Sequence, residues 1–416
     1  MNILLINHYA GSLQHGMEYR PYYLAREWVR LGHRVRIAAS SRSHIRAQAP
    51  QMRGQARLDE TIDGIEYTWF DTAAYSGNGS ARAMNMASFV VRLTQDARQM
   101  ARAFKPDVVI ASSTYPLDIW PARRIARLAR ARLLFEVHDL WPLSPMELGN
   151  LSRWHPFIML LQAAENYACR HADAVVSILP KVRDHLEAHG MARHKLHIVP
   201  NGADPAEWLA EPPVLQGDVG ARLAGLRAAG KFIVGYAGTH GIANSLGTLL
   251  GAAAQLAGER AAFVLVGGGP DKAKLQQHAR AMGLNNVHFF DPVAKAQVPA
   301  LLQCFDVAYI GWPRQPLYRF GISPNKLIDY MMAARPILHS VEAGNDPVAD
   351  AGCGLTVAPE DASAVARGVL HLMSMPAAER AAIGQRGKSY ALRNLSYPVL
   401  GERFLNILAG LRPSTF

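Results

Sequence analysis

The chain opens with MNILLIN (1–7), passes through PYYLAREWV (21–29) to Gly32, and resumes with HRVRIAAS (33–40). The outer two stretches are short apolar runs bounded by polar residues, as buried strands are. Between them Pro21 suits a first helical turn, apolar residues recur at helical spacing, and Gly32 ends the helix. This strand–helix–strand unit then recurs. PDVVIASS (106–113), ARLLFEVHD (131–139) and ADAVVSIL (172–179) are further strand patterns, separated by helical ones such as DIWPARRIARLARA (118–131). The alternation predicts an α/β fold with parallel, doubly wound sheets.

The pattern restarts after PNGADPAEW (200–208). FIVGYAG (232–238), AAFVLVGGG (261–269), VHFFDPV (287–293), FDVAYIGW (305–312) and RPILHS (335–340) again alternate with helices. Two Rossmann-like domains are expected, 1–204 and 205–396, with a last helix in 397–416 packing back on the first. Residues 40–85, of mixed charge and with Gly and Ser, read as an insertion or mobile loop.

Half of the 416 residues are hydrophobic and 19% are charged, a globular profile. Cys169, Cys304 and Cys353 lie far apart without metal-ligand spacing, as expected of a reducing compartment. A strand pattern begins at residue 2 and no apolar run approaches the roughly 18 residues of a membrane span, so a cytoplasmic location is expected. Residues 1–200 hold 25 Lys and Arg against 17 Asp and Glu, a surplus of eight, and five of the seven tryptophans; the remainder has a surplus of three. No helix-turn-helix, zinc-finger or RNP signature accompanies this charge. Peripheral contact with an anionic membrane face is therefore expected rather than nucleic-acid binding.

Ligands of open parallel sheets bind beyond the carboxyl ends of the strands, so two such sheets would frame a deep inter-domain cleft. Four stretches follow strands. In HYAGSLQHGMEYRP (8–21), Gly16 lets backbone approach a ligand, and Met17, Glu18, Tyr19 and Arg20 follow just ahead of the helix. EVHDLWP (136–142) runs from a strand into His138 and Asp139. The loops AGTHG (237–241) and GGGP (267–270) present backbone N–H groups to phosphate or sugar oxygens, though neither completes a GxGxxG or Walker sequence. The fourth is FGISPNKLIDYMMAARPIL (320–338). Ser323 suits an N-cap and Pro324 a first helical position. Lys326 stands where a capping box would place Glu or Gln, a cation at the positive end of a helix, which points to an external anion. Asp329 lies on the same face, three residues on.

Together with RHADAVVSIL (170–179), IVPNGAD (198–204), GYAGTHGIANSLGTLL (235–250) and FVLVGGGP (263–270), these segments resemble family 4 of the retaining glycosyltransferases over nearly the whole chain. The resemblance implies the GT-B fold of two facing Rossmann-like domains. The most similar subgroup comprises bacterial O-antigen, capsule and exopolysaccharide enzymes resembling N-acetyl-fucosamine transferases. It implies a nucleoside-diphosphate sugar, UDP-linked, as donor, and a lipid-linked saccharide as acceptor. Gly238, Thr239, Gly241 and Asn244 would lie near the diphosphate, Gly267, Gly268 and Gly269 near the nucleotide, and Pro292 and Val293 near the base. Ser323, Pro324, Asn325 and Lys326 would hold the diphosphate and Asp329 the ribose. His138 would contact the donor sugar, with Lys326 as its catalytic partner. Gly16, Met17, Glu18, Tyr19, Arg20 and Asp139 would lie on the acceptor side.

Two positions depart from the family pattern. Gly321 stands where the first member of a Glu-x7-Glu pair is usual, and the loop 241–245 lacks the Arg-then-Lys that often neutralises the diphosphate. The chain also has no Asp-x-Asp, so activity without metal or other cofactor is expected. The segments 84–104 and 151–161 are candidate membrane-facing surfaces. A sugar-nucleotide 2-epimerase and a non-catalytic nucleotide-sugar-binding protein remain as alternatives.

Overall fold

The apolar runs become two separate sheets in the computed structural model, which describes every residue except 17, 18, 78, 212 and 412–416. The chain divides into two compact units, one made of Met1–Asn201 with the segment from Tyr397 onward, the other of Gly202–Ser396.

The first unit holds β1 (Asn2–Ile6), β2 (Arg34–Ser40), β3 (Arg57–Ile62), β4 (Ile65–Phe70), β5 (Val108–Ala111), β6 (Arg132–Val137), β7 (Ala174–Ser177) and β8 (Leu196–Ile198). Their order across the sheet is β3-β4-β2-β1-β5-β6-β7-β8. All neighbours are parallel except β3 and β4. Ile3, Leu4, Leu5 and Ile6 are fully enclosed, because a parallel strand is covered on both faces.

The stretch 40–85 is not one mobile loop. RLDETI and IEYTWF pair as a hairpin turned at Asp63 and Gly64, whose φ angles of 51° and 79° are those of a tight hairpin turn. The buried rings of Tyr67 and Trp69 stack at 5.0 Å, fixing the hairpin to the core. The helix Ser80–Phe104 likewise turns Phe89, Leu93, Ala97, Met100 and Phe104 inward, so the apolar face expected to meet a membrane packs in the core instead. The C-terminal helix Tyr397–Gly410 packs on the helix Tyr19–Arg30. Tyr23 stacks on Tyr397 at 4.7 Å, Phe404 meets Trp28 edge-on at 5.0 Å, and Trp28 Nε1 donates to the Gly401 carbonyl at 3.2 Å.

The second unit holds β9 (Phe232–Ala237), β10 (Ala261–Val266), β11 (Val287–Phe290), β12 (Val307–Gly311), β13 (Ile337–Ser340) and β14 (Gly354–Thr356), in the order β11-β10-β9-β12-β13-β14. All are parallel. β11 is an edge strand and only partly buried, which fits its mixed VHFF sequence. The helix Asn325–Met332 buries Leu327, Ile328 and Met331. Its entry differs from expectation by one residue: Pro324 keeps an extended ψ of 132°, so Pro324 is the cap, Asn325 the first helical residue, and Ser323 lies outside. Proline at the cap has no hydroxyl or carboxylate to offer the first-turn N–H groups.

Candidate functional site

In the second unit, three segments meet at the carboxyl end of the sheet. The loop after β9 and the loop after β10 interlock through their backbones: Gly238 N donates to Val266 O at 3.0 Å and His240 N to Gly268 O at 2.7 Å. Glycine is required by space. A Cβ on Gly267 would lie 1.9 Å from the Gly238 carbonyl oxygen, and one on Gly269 would lie 2.4 Å from that of His240. Gly268 sits under Pro292, and Pro292 and Val293 line a cavity of about 780 Å³ together with Gly269, Lys272 and Asp291.

Lys326 reaches into this arrangement from the third segment. Its Nζ donates to the Tyr236 hydroxyl at 2.7 Å and to Asn244 Oδ1 at 2.9 Å, and lies 4.2 Å from the centre of the Tyr236 ring. Asn244 Nδ2 and the Tyr236 hydroxyl both donate to the Thr239 carbonyl, at 2.9 and 2.7 Å, so the same contacts that hold the ammonium group fold the loop. A Cβ on Gly238 would stand 2.8 Å from Nζ, so a side chain there would displace the lysine. Gly241 is different, since the nearest atom to a Cβ there is 3.8 Å away. Burial pulls the Lys326 pKa down to about 7 against the opposing charge of Asp329. An arriving anion would restore its charge. His240 is fully buried with neither ring nitrogen hydrogen-bonded, and burial with the charges of Lys272 and Lys326 lowers its pKa to about 4.

One turn on, Asp329 lines a second cavity of about 460 Å³ with Glu207, Trp208, Lys295 and Val298. Burial pushes its carboxyl up to about 7; Lys295 and Lys326 oppose the shift and Glu207 adds to it. Gly321 has φ 91°, a left-handed conformation that disfavours any side chain, so glutamate at this position would require a different backbone. Asn325 is exposed and Pro324 half-buried at the helix mouth.

In the first unit, the ends of β1, β5 and β6 meet. Ser112 Oγ donates its single hydrogen to Glu136 Oε2 at 2.6 Å, so the 2.9 Å contact with His138 Nε2 is donated by the imidazole. His138 therefore carries a proton on Nε2, which directs Nδ1 to the other side of the ring. Arg20 is not an acceptor contact: its guanidinium is buried and donates to Glu136, to Val199 O at 2.9 Å and to Pro200 O at 2.5 Å. Burial would raise the Glu136 pKa, but Arg20, His138 and Ser112 hold it well below the usual carboxylate range. Asp139 is also directed inward, accepting from Leu140 N, Trp141 Nε1 and Ser144 Oγ at 2.8, 3.2 and 2.6 Å. Gly16 has φ 71° and closes a turn by donating to Ser12 O at 2.9 Å, and Tyr19 begins the following helix. Met17 and Glu18 lie outside the described residues.

The sequence reading missed Glu136, Ser112, Tyr236 and Lys272. Glu136 leaves a signal, a lone carboxylate inside the apolar strand RLLFEV, whereas Tyr236 is indistinguishable from a core aromatic.

Residues 15–202 match the family profile described as glycosyl transferase 4-like domain, and residues 231–375 the one described as glycosyl transferases group 1. The chain is 25% identical over 316 residues to WcaI of Escherichia coli (strain K12), a glycosyl transferase named for colanic acid biosynthesis; the match covers 74% of this chain and 75% of that one. Among solved structures, Anabaena Alr3699/HepE in complex with UDP and glucose is similar with a TM-score of 0.68 at 17% identity, over 99% of this chain and 100% of its own. Sucrose-phosphate synthase from Thermosynechococcus elongatus is similar with a TM-score of 0.72 at 16% identity, over 98% of each. With both domain profiles matched in tandem, and with the two parallel-sheet units of its GT-B neighbours, the chain belongs to family 4 of the glycosyltransferases.

Proposed function

We propose that this glycosyltransferase moves an N-acetylated amino sugar from UDP to a lipid-linked saccharide, with retention of configuration, in the assembly of a bacterial surface polysaccharide. The observation that carries the reading is Lys326. An ammonium group held against the Gly238 loop, at a helix N-terminus and depleted of solvent, is preorganised for a diphosphate. The cavity at Gly269, Pro292 and Val293 would take the base, and Asp329 would accept from ribose hydroxyls. HepE, solved with UDP and glucose, supports a uridine donor, and WcaI supports a role in polysaccharide synthesis.

In this reading the bond from the anomeric carbon to the diphosphate oxygen breaks as the acceptor hydroxyl adds on the same face. The hydroxyl proton passes to the leaving phosphate oxygen. Lys326, backbone N–H groups and the helix dipole meet the developing negative charge, and His138 Nδ1 orients the sugar. This set of donors supplies the counter-charge without a metal, and the chain carries no Asp-x-Asp to hold one.

Peripheral attachment to the cytoplasmic face of the inner membrane belongs to the same proposal. It is supported by the exposed apolar side chains Leu148, Trp154, Met159 and Leu160, beside Arg153, whose guanidinium lies 4.6 Å from the Trp154 ring. Among the described residues no helix is long and apolar enough to cross a membrane.

Purified protein should release UDP from a UDP-amino sugar only when a polyprenyl-diphosphate saccharide is present, with or without EDTA. The product should keep the donor's anomeric configuration by NMR. Inverted product would overturn the mechanism. A donor sugar altered without acceptor would identify an epimerase instead.

A further inference from the structure

Apart from the donor and sugar sites, Glu165, His185 and His189 converge in the first unit, with one ligand atom from each lying within 4.8 Å of the others. Glu165 is buried on the helix Pro156–His171, while His185 and the C-capping His189 lie one turn apart on and after the helix Arg183–Ala188, both half-buried. The hydrogen bonds around them determine where each proton sits. Gln162 Nε2 has two hydrogens, directed to Glu165 Oε2 at 2.8 Å and Asn166 Oδ1 at 2.9 Å. None remains for His189 Nδ1, so the 2.8 Å contact between Nδ1 and Asn166 Oδ1 is donated by the imidazole. His189 Nε2 is thereby left as a lone pair facing Glu165 Oε2 at 3.8 Å. Two electron-rich atoms at that distance are too far apart to share a proton and are held together best by a cation between them.

We propose that Glu165, His185 and His189 form a binding site for a divalent transition metal of the zinc class, clamping these two helices together. His185 Nε2 donates to Glu165 Oε1 at 2.9 Å, a proton that a bound ion would displace. The 2.9 and 3.8 Å separations run to different oxygens of Glu165 and one ligand atom of each residue lies within 4.8 Å of the others, so small side-chain shifts would bring the three to the roughly 3.4 Å expected between ligands of a tetrahedral ion with bonds of 2.0 to 2.2 Å. Two imidazoles and one carboxylate are a ligand set for zinc, cobalt or nickel, and the half-buried side leaves the fourth position to water. Asn166 supplies the support that metal-bound histidines ordinarily have, fixing the tautomer and aiming the ring. The site shares no residue with the donor contacts of Lys326, so it does not depend on the proposed transfer chemistry.

The test is zinc titration of EDTA-stripped full-length protein against a chromophoric chelator, with cobalt absorption as a second readout. The expected result is one equivalent per chain, a tetrahedral cobalt spectrum and a higher Tm with zinc. His189→Ala should lose at least about 100-fold in affinity and the Tm response, and Asn166→Ala, which keeps all three ligands, about 10- to 100-fold in affinity. The second variant serves if the first does not fold. Lack of zinc binding by the parent at micromolar concentration, or unchanged affinity in Asn166→Ala, would overturn the site and leave a hydrogen-bonded helix contact.

Discussion

At the scale of single residues, charge placement separates stability from function. The Asp329 carboxyl is raised from 3.8 to about 7 in the folded chain, so folding favours its protonated form. Its stabilising contribution is complete below 3.8 and is lost as the pH rises through 7. Asp329→Asn should therefore be stabilising, by about 1 to 2 kcal/mol more at pH 8 than at pH 5 once partial exposure is discounted, as thermal melts would show. The same change should weaken UDP binding, so the two effects run in opposite directions. Arg20 behaves otherwise. Arg20→Ala leaves Glu136 buried without its cation and should cost about 3 to 5 kcal/mol in urea unfolding. His138→Asn should lower turnover with little change in stability. From sequence, Arg20 looked like a ligand contact because a cation beside a glycine loop reads as exposed; its partner lies 116 residues away.

At the scale of elements, the two glycine loops make unequal demands on side-chain size. Gly267→Ala would drive a methyl into the Gly238 carbonyl and should cost about 2 to 4 kcal/mol, with loss of UDP affinity. Gly241→Ala meets only an ordinary van der Waals contact at 3.8 Å with an extended φ of −146° and should keep the parent Tm. The strands around these loops were legible because parallel strands covered on both faces are continuous apolar runs, bounded here by glycine. The β3–β4 hairpin was overlooked because its outer strand, RLDETI, is charged, although Asp63-Gly64 between two β-rich runs carried the turn signal. The entry of the Lys326 helix shifted by a residue because Ser323 and Pro324 are each acceptable at neighbouring positions, and only the dihedral angles decide.

At the scale of the whole molecule, the last described helix belongs to the first unit although it follows the second in sequence. Truncation after Ser396 would uncover Trp28 and remove Leu400, Phe404 and Leu408 from the core. It should therefore raise hydrogen exchange across β1 and β2 while the strands of the second unit stay protected. The paired parallel sheets were readable from the restart of strand–helix alternation after residue 208. Tyr236 and Asn244 were not readable as the holders of Lys326, because their contacts span 90 and 82 residues. Lys326 is proposed as the diphosphate anchor of this glycosyltransferase. Calorimetric titration of UDP into the parent and into Lys326→Ala tests it most directly. The expected result is binding by the parent, at least about 100-fold weaker binding by the variant, and nearly unchanged Tm. Equal affinities in the two proteins would contradict it.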